Sequence, residues 1–430
     1  MFNFQPKDQT YSSICCTKIN QCTQDMHTEV AVIGGGIAGL SAAQAFANKG
    51  KKVALFEQYY CGSGATGKSG GFITPNAELS FLDISHKKDK NAAKNIWDFI
   101  NSGLGIIHKN ILDNKFSCGY RNDSGLFVAT CKRTLNNLMK EYEHIQKLGY
   151  SSQFFNDKEL QKILLTKKYY GAMTYDNSFG INPYLYCQEL KKLLQRNGVN
   201  IFEETPVLSI DDHTLKTNHA TITADYIIVC VDKYLADFNI MNDEIYHAQN
   251  FVLASEQLSD EDIKKIFPEK PYMVWDSHLI YNYFRVTHDN RILLGGGDLL
   301  TFFSKEEKHN YTKAYKKLSE YFSKTFPSVS VNFTYQWPGQ IGISKDIGPI
   351  AGPDKKYTHI YYIASSAGLS IAAALGNYSQ EHVLEGRKDL DIYFDPYRTY
   401  FIQGLSQKIL GKKASFAINN FMVQQTLGCF

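Results

Sequence analysis

Apolar residues along this chain gather first into short, continuous runs. Glu29-Val30-Ala31-Val32-Ile33 and Lys52 to Phe56 have the unbroken apolar character of strands buried on both faces. Between them Gly34-Gly35-Gly36-Ile37-Ala38-Gly39 leads into a small-residue helix over 40–48, closed by Gly50. The front of the chain therefore predicts a βαβ unit. Residues 61–71 are too rich in glycine for either element and predict a loop, and a lysine-rich helical region follows at about 85–112. Asn182-Pro183 opens a helix that Gly198 closes, proline in the first turn and glycine just past the last.

Strands are expected at 200–202 and 207–210, a hairpin at 214–217 and 221–223, and an apolar parallel strand at 226–231. Between about 245 and 300 the pattern is strand-rich, including 250–255, 279–286 and 291–294. A helix at about 305–325 stops before Pro327; a strand at 360–364, a small-residue turn and a helix at 371–385 follow. There is no internal repeat. Nucleotide-type βα units at both ends around a β-rich middle predict an α/β domain interrupted by a second, α+β one.

Composition narrows the classes without choosing among them. A length of 430 residues suits two or three domains, and 43% hydrophobic with 21% charged residues is ordinary for a soluble protein. Lys+Arg 46 against Asp+Glu 43 leaves +3, so no net field recruits nucleic acid or a bilayer. The weakly polar run over 361–376 is broken by Ser365, Ser366, Gly368 and Ser370 and reads as a strand and helix, not a membrane span. No basic flank precedes an apolar stretch near residue 1, so no secretory signal is expected and the location is read as cytoplasmic. Nine cysteines, an odd count, fit a reducing compartment. Cys15, Cys16 and Cys22 cluster without a further ligand pair at zinc spacing, so no metal site is assigned.

Two glycine motifs compete for the chemistry. In Gly34-x-Gly36-x-x-Gly39 the first glycine permits a tight turn, the second lets backbone approach a pyrophosphate, and the third lets helix pack on strand. The helix N-terminus would offer Ile37 and Ala38 N–H groups to the phosphates. Glu57, eighteen residues after Gly39 at the end of the next strand, is placed to accept from a ribose, with Gln58 beside it. Gly62-Ser63-Gly64-Ala65-Thr66-Gly67-Lys68-Ser69 also fits the phosphate-loop pattern, with an apolar strand ending in an acid at Asp232. That loop must lead straight into a helix, whereas Gly70, Gly71 and Pro75 follow here, so dinucleotide binding is favoured over an NTPase.

Taken together these residues resemble the FAD-dependent amine and amino-acid oxidases of the D-amino-acid, glycine and sarcosine oxidase type, most closely the γ-glutamylputrescine oxidase-like group. The similarity spans about 28–398. It is carried by 28–43, by Gly64-Ala65-Thr66-Gly67-Lys68-Ser69-Gly70-Gly71, by Gly180-Ile181-Asn182-Pro183, and by Asp276, Tyr283-Phe284-Arg285 and Leu294-Gly295-Gly296. The most specific segment begins Trp337-Pro338-Gly339 and continues through Asp346 and Pro349 to Gly352.

The resemblance implies an FAD-binding, Rossmann-like fold of the glutathione-reductase type, interrupted by a β-rich α+β substrate domain. The boundaries it suggests are an extension at 1–26, an FAD-binding part at 27–85, 166–235 and 336–400, a substrate part at 86–165 and 236–335, and a tail at 401–430. It places Val207 against the adenine and Gly339, Ser366, Ala367, Gly368, Leu369 and Ser370 around the flavin, whose pyrimidine would face a helix N-terminus. Gly339 or Gln340 stands where some members tether the flavin through cysteine, so the FAD is expected to be non-covalent. Ser370 stands in place of a carboxylate-binding lysine and Leu294 in place of one tied to oxygen activation. An amine with an uncharged reacting end, and either oxygen or another electron acceptor, are therefore expected.

The implied reaction is hydride transfer from an amine-bearing carbon to the flavin, giving an imine that hydrolyses to an aldehyde, and hydrogen peroxide if oxygen is the acceptor. Tyr283 is the candidate pocket-wall residue, Arg285 a candidate for a distal carboxylate on the same strand face, and Trp337 a candidate flavin wall. A core tyrosine, a surface ion pair and a core tryptophan are the competing structural roles. His247, His278 and His288 are not ranked. The alternatives are oxidation of an N-methyl or D-amino acid, or a flavin-binding protein without amine oxidase activity.

Overall fold

A computed structural model describes residues 20–75, 80–87, 90–278, 280–297, 312–366 and 368–423. The front βαβ unit forms as expected: β1 (Met26–Ile33), helix α1 (Ile37–Asn48) and β2 (Val53–Phe56), with Val30, Ala31 and Val32 closed to solvent. Short helical turns aside, there follow β3 (Phe72–Ile73), the long helix α2 (Lys90–Asn114), β4 (Gly125–Ala129), α3 (Lys132–Lys147), β5 (Phe154–Asn156), β6 (Gly171–Tyr175) and β7 (Phe179–Gly180). Helix α4 (Pro183–Arg196), capped by the Asn182 side chain with proline in its first turn, precedes β8 (Asn200–Phe202), β9 (Val207–Asp211), β10 (Thr214–Thr217) and β11 (Thr221–Val229). The middle of the chain gives β12 (Ile245–Ser255), β13 (Met273–Asp276), β14 (Tyr283–Val286), β15 (Ile292–Gly296) and helix α5 (Thr312–Thr325). Then come β16 (Phe333–Ser344), β17 (Ile350–Pro353), β18 (Ile360–Ala364), helix α6 (Leu369–Glu385) and helices α7 (Gly404–Leu410) and α8 (Lys412–Val423).

The first sheet has the order β17-β18-β11-β1-β2-β8, with β9 and β10 as a ribbon on β11. From β18 to β8 its neighbours are parallel; β17 and β10 run against them, and β9, antiparallel to β10, turns back to their direction. The chain leaves β1 toward β2 on one side and reaches β11 on the other, so a crevice opens beyond the carboxyl ends of β1 and β11. Helices α1 and α6 lie together beneath it, so close that a Cβ on Gly376 would stand 2.4 Å from the Ala38 carbonyl oxygen and 2.8 Å from the Ala42 nitrogen. Only glycine permits that approach.

The second sheet has the order β16-β12-β15-β14-β13-β4-β6-β5, antiparallel except at β13 and β4. Its alternating residues serve two cores: Phe127, Trp275, Tyr283 and Leu293 join the inner one, while Val274, Phe284 and Leu294 meet Tyr315, Leu318 and Phe322 of α5. Strands β6 and β16 both belong to this sheet, although the expected boundaries put 171–175 and 336–344 in the nucleotide-binding part. Burial alone could not reveal this, since a strand's apolar pattern does not name its partner.

Other expectations shift by a few residues. The hairpin arm at 221–223 and the apolar strand at 226–231 are one strand, β11, which pairs first with β10 and then with β18. The described part of the helix expected at 305–325 begins at Thr312; residues 298–311 lie outside the described residues, as do Cys15, Cys16 and Leu279. The described end of the first extension is pinned: the Asn20 carbonyl accepts from Glu203 N at 3.0 Å and Cys22 N donates to Thr205 Oγ1 at 3.1 Å. The tail also docks, with Phe416 fully buried against Tyr246 and Asn420 Nδ2 donating to the Ser344 and Lys345 carbonyls at 2.9 and 2.7 Å.

Cys22, Cys61, Cys118, Cys187 and Cys230 are free thiols, whereas Cys131 is disulfide-bonded. Among the described residues no helix is long and apolar enough to cross a membrane.

Candidate functional site

One cleft of about 1450 Å³ runs from the carboxyl ends of β1 and β11 to the inner face of the second sheet. Its inner end is a cradle of backbone. Gly34 ends β1 with φ +104, and a Cβ there would stand 2.4 Å from the Cys230 carbonyl oxygen. Gly39 does not line the cleft; it lies beneath, where a Cβ would overlap the Gly34 oxygen, and so lets α1 start directly under the turn. Gly36, Ile37 and Ala38 do line it. Gly36 supplies no side-chain cap to α1, whose first turn therefore opens N–H groups and positive helix-dipole charge toward the cleft, apart from Ile37 N, which donates to Thr66 Oγ1 at 3.2 Å.

Glu57 and Gln58 line the next stretch. Glu57 accepts from Gly35 N at 2.7 Å through Oε2 and from Tyr59 N at 2.9 Å through Oε1, which locks the carboxylate beside the glycine turn. Burial pushes the Glu57 carboxyl above its ordinary range; these hydrogen bonds pull it back, while the charge of nearby Glu203 adds to the rise. Glu203 is held in a buried ion pair, Lys191 Nζ to Oε2 at 2.6 Å, and accepts from Cys61 N at 2.8 Å. Val207 stands on the wall at this end with Pro206 and Leu208.

Farther along, Gly64, Ala65, Thr66, Lys68, Ser69 and Gly70 form one wall. Residues Ala65–Lys68 make a single helical turn, and the chain then enters β3, which pairs with β7, so the second glycine motif does not feed a helix in phosphate-loop fashion. Asp232, the acid of that competing reading, is also spent on backbone. It sits at φ +51, and its two oxygens accept from Gly342 N at 2.6 Å and Ser365 N at 2.9 Å. This ties the end of β11 to β16 and to the turn before α6.

That turn brings a second bare helix end into the same cleft. Ser366, Gly368 and Leu369 line it, and Gly368 gives α6 no side-chain cap. Ala367 lies outside the described residues. Ser370 is off the wall: its hydroxyl donates to the Thr74 carbonyl at 2.9 Å and moors the first turn of α6. Opposite, Trp337 and Gly339 of β16 line the cleft, and Trp337 Nε1 donates to the Lys68 carbonyl at 2.9 Å. The sequence places these residues 269 apart; the fold brings them into hydrogen-bond contact.

The remaining wall is aromatic, made by Phe72, Phe127, Trp275, Tyr281, Tyr283 and Trp337. Tyr283 packs edge-on against Phe72 at 5.3 Å between ring centroids and accepts from Asn250 Nδ2 at 3.3 Å. Arg285 corrects an expectation. It does share a strand face with Tyr283, but it is 3% exposed and absent from the wall. Its Nε donates to the Gly70 carbonyl at 2.7 Å and its Nη2 to the Ile181 carbonyl at 2.6 Å. A guanidinium is the side chain whose planar fork reaches several carbonyls at once, and here it fastens the glycine loop to the second sheet. Leu294 likewise faces the outer core, away from the cleft, while Leu293 is its inward neighbour.

The sequence did not rank His278, yet it lines the cleft with its Nδ1 2.9 Å from Asp276 Oδ1. Of the other two histidines, His247 lines the cleft and His288 does not. Away from the cleft, Asp212, His213 and His359 bring potential ligand atoms within 4.8 Å of one another, with the imidazoles stacked at 3.7 Å. Distance along the chain hid that cluster from the sequence.

FAD fits this arrangement on three counts. A dinucleotide needs a long cleft, an anion site for its pyrophosphate and a polarising group at the flavin, and two uncapped helix N-termini facing one cavity supply the last two. Comparisons with known proteins agree. The family profile described as DAO, FAD dependent oxidoreductase, matches residues 29–381. Gamma-glutamylputrescine oxidoreductase of Escherichia coli is 27% identical over 375 residues, covering 85% of this chain and 82% of that protein. The structure of L-proline dehydrogenase from P. horikoshii superposes with a TM-score of 0.74 at 19% identity, covering 87% of this chain and 98% of the other. Glycine oxidase from Geobacillus kaustophilus gives 0.74 at 16% identity, covering 87% and 99%.

Proposed function

The chain belongs to the DAO family of FAD-dependent oxidoreductases, and from that premise we propose that it oxidises a primary or secondary amine, of γ-glutamylputrescine-like form. FAD held in the cleft would supply the electron sink for a hydride leaving the carbon that bears the amine.

The residues of the chain bind, orient and dry the site. Gly34, Gly36 and Ala38 of the first helix end, with Glu57, would hold the dinucleotide; Gly339, Ser366, Gly368 and Leu369 would approach the ring by backbone. The aromatic wall excludes water from the reacting end, and a desolvated ammonium there loses its proton more readily than in bulk water. Tyr283 orients the amine through its hydroxyl, itself held by Asn250. The resulting imine is hydrolysed by water to an aldehyde and ammonia or a shorter amine. With oxygen as acceptor, hydrogen peroxide is the second product.

The observation that carries this reading is the joining of two bare helix ends and an aromatic wall in a single cleft. The test is anaerobic mixing of the purified holoprotein with putrescine derivatives, N-methyl amino acids and D-amino acids while the visible flavin absorbance is followed. Bleaching by the polyamine conjugates supports the proposal. Bleaching by N-methyl or D-amino acids alone replaces it with an amino-acid oxidase, and indifference to the whole panel leaves a flavin-binding protein.

A further inference from the structure

The aromatic wall continues beyond the reacting end. From Gly70, where a Cβ would press on the Tyr283 ring at 2.7 Å, it passes to Tyr283, then to Tyr281 at 6.0 Å between centroids, and on to the turn that carries His278. Arg285, the residue first expected to meet a charged distal group, is committed to carbonyls at the inner end of this path. The outer end is built differently.

Asp276 closes β13 at 1% exposure with both carboxylate oxygens bound by donors. Its Oδ1 accepts from His278 N at 3.2 Å and Asn282 N at 3.1 Å, and its Oδ2 from Asn282 Nδ2 at 3.0 Å and Tyr321 OH at 2.8 Å. Tyr321 in turn meets the Tyr169 hydroxyl at 2.7 Å. A carboxylate so fixed cannot swing into the cleft to meet a ligand. What it does is hold the His278 ring by Nδ1, which leaves Nε2 as the nitrogen free of that contact. The ring is 42% exposed and stands on the cleft wall, so it is accessible to a solute.

We propose that His278, held by Asp276, is the binding group for a carboxylate at the far end of an extended substrate. Resting on the amine reading above, this assigns the substrate class more closely: an amine at one end, an anionic group at the other, and a chain between them long enough to follow the aromatic wall. An imidazolium Nε2–H donates to that carboxylate, while the Nδ1–H charge is answered by Asp276.

The charges facing His278 define its pH response. Its hydrogen bond to Asp276 raises the imidazole above its ordinary value, burial opposes this, the Asp276 charge adds to it, and the Lys168 charge beyond Tyr321 opposes it weakly. Carboxylate binding is therefore present while His278 is protonated and is lost as the pH rises through its elevated value. Removing the anion, as in Asp276→Asn, moves that loss to lower pH.

The test uses a ligand that cannot be oxidised. Glutaric acid mono-n-butylamide carries the carboxylate and an alkyl chain but no amine, and the diamide in which the acid is replaced by a carboxamide is its neutral counterpart. Calorimetric titration of the holoprotein is expected to show the acid bound roughly tenfold or more tighter than the diamide, as a charge-assisted hydrogen bond allows. His278→Gln should abolish that preference, and the wild-type preference should fade with rising pH. Equal binding of both ligands by the wild type, or a preference kept in His278→Gln, overturns the proposal. Visible flavin absorbance confirms a folded site in each variant. A failed amine reading shows elsewhere, as flavin that no amine bleaches, and leaves the ligand preference to be judged alone.

Discussion

Asp232 offers the sharpest test of how the cleft is held together, because asparagine matches its shape and tolerates the same left-handed backbone at φ +51. In Asp232→Asn one side-chain oxygen remains to accept from either Gly342 N or Ser365 N, and the new NH2 group faces the other N–H. A hydrogen bond to a charged group contributes about 1.5–3 kcal/mol net, and a donor left without an acceptor costs about 1–3 kcal/mol. Asp232 is only half-buried, so cleft water offsets part of this, and the expected loss is about 2–3 kcal/mol. The damage falls on two segments that line the cleft where the flavin ring is proposed to lie, β16 and the turn before α6. Urea denaturation should therefore show a lower midpoint, and the purified variant should release FAD more readily on gel filtration. A variant within about 0.5 kcal/mol of wild type that keeps its flavin would refute the reasoning, since a change of that size is what an uninvolved surface position gives.

Arg285→Met should destabilise the protein and loosen FAD by freeing the Gly70 carbonyl, without altering preference for a carboxylate-bearing ligand; thermal unfolding and ligand titration check both parts. Lys191→Met leaves Glu203 charged and unpaired beside Glu57, at a cost of about 3–5 kcal/mol, and Lys191→Met with Glu203→Gln should recover much of it in a double-mutant cycle. The Asp276–His278 pair sets a pH window. Burial pushes the Asp276 carboxyl up, but His278, Asn282 and Tyr321 outweigh it and hold it below the usual range, so its contribution is full above the unfolded value and is lost as the pH falls through the folded one. The raised His278 value gives the opposite limb, full below the unfolded value and lost as the pH rises. Stability measured against pH should show both limbs in the wild type and neither at full size in Asp276→Asn.

What the sequence made legible was local. Gly34, Gly36, Gly39 and Glu57 lie within one βαβ unit whose geometry is fixed by strand, turn and helix, so spacing sufficed to place them. The same holds for the Asn182-Pro183 helix start. Tyr283 and Arg285 were correctly put on one strand face by the period of two, yet that rule says nothing of the opposing partner. Arg285 finds its carbonyls 215 and 104 residues away, and no local pattern encodes them. His278 was indistinct for a related reason: its meaning depends on Asp276 being buried by Tyr321, 45 residues on. The tail escaped because its docking uses scattered contacts with no periodic pattern, among them the buried Phe416 ring, the Lys412 ammonium on the Asn242 carbonyl and the Asn420 amide.

A crystal structure of the holoprotein at a resolution that shows ring orientation measures the central claim directly. It should show one FAD, its pyrophosphate against Gly36 and Ala38, its ribose at Glu57, and its isoalloxazine between Trp337, Gly339 and Gly368. A nicotinamide in that space, or a flavin ring lodged away from the second sheet, would contradict the account.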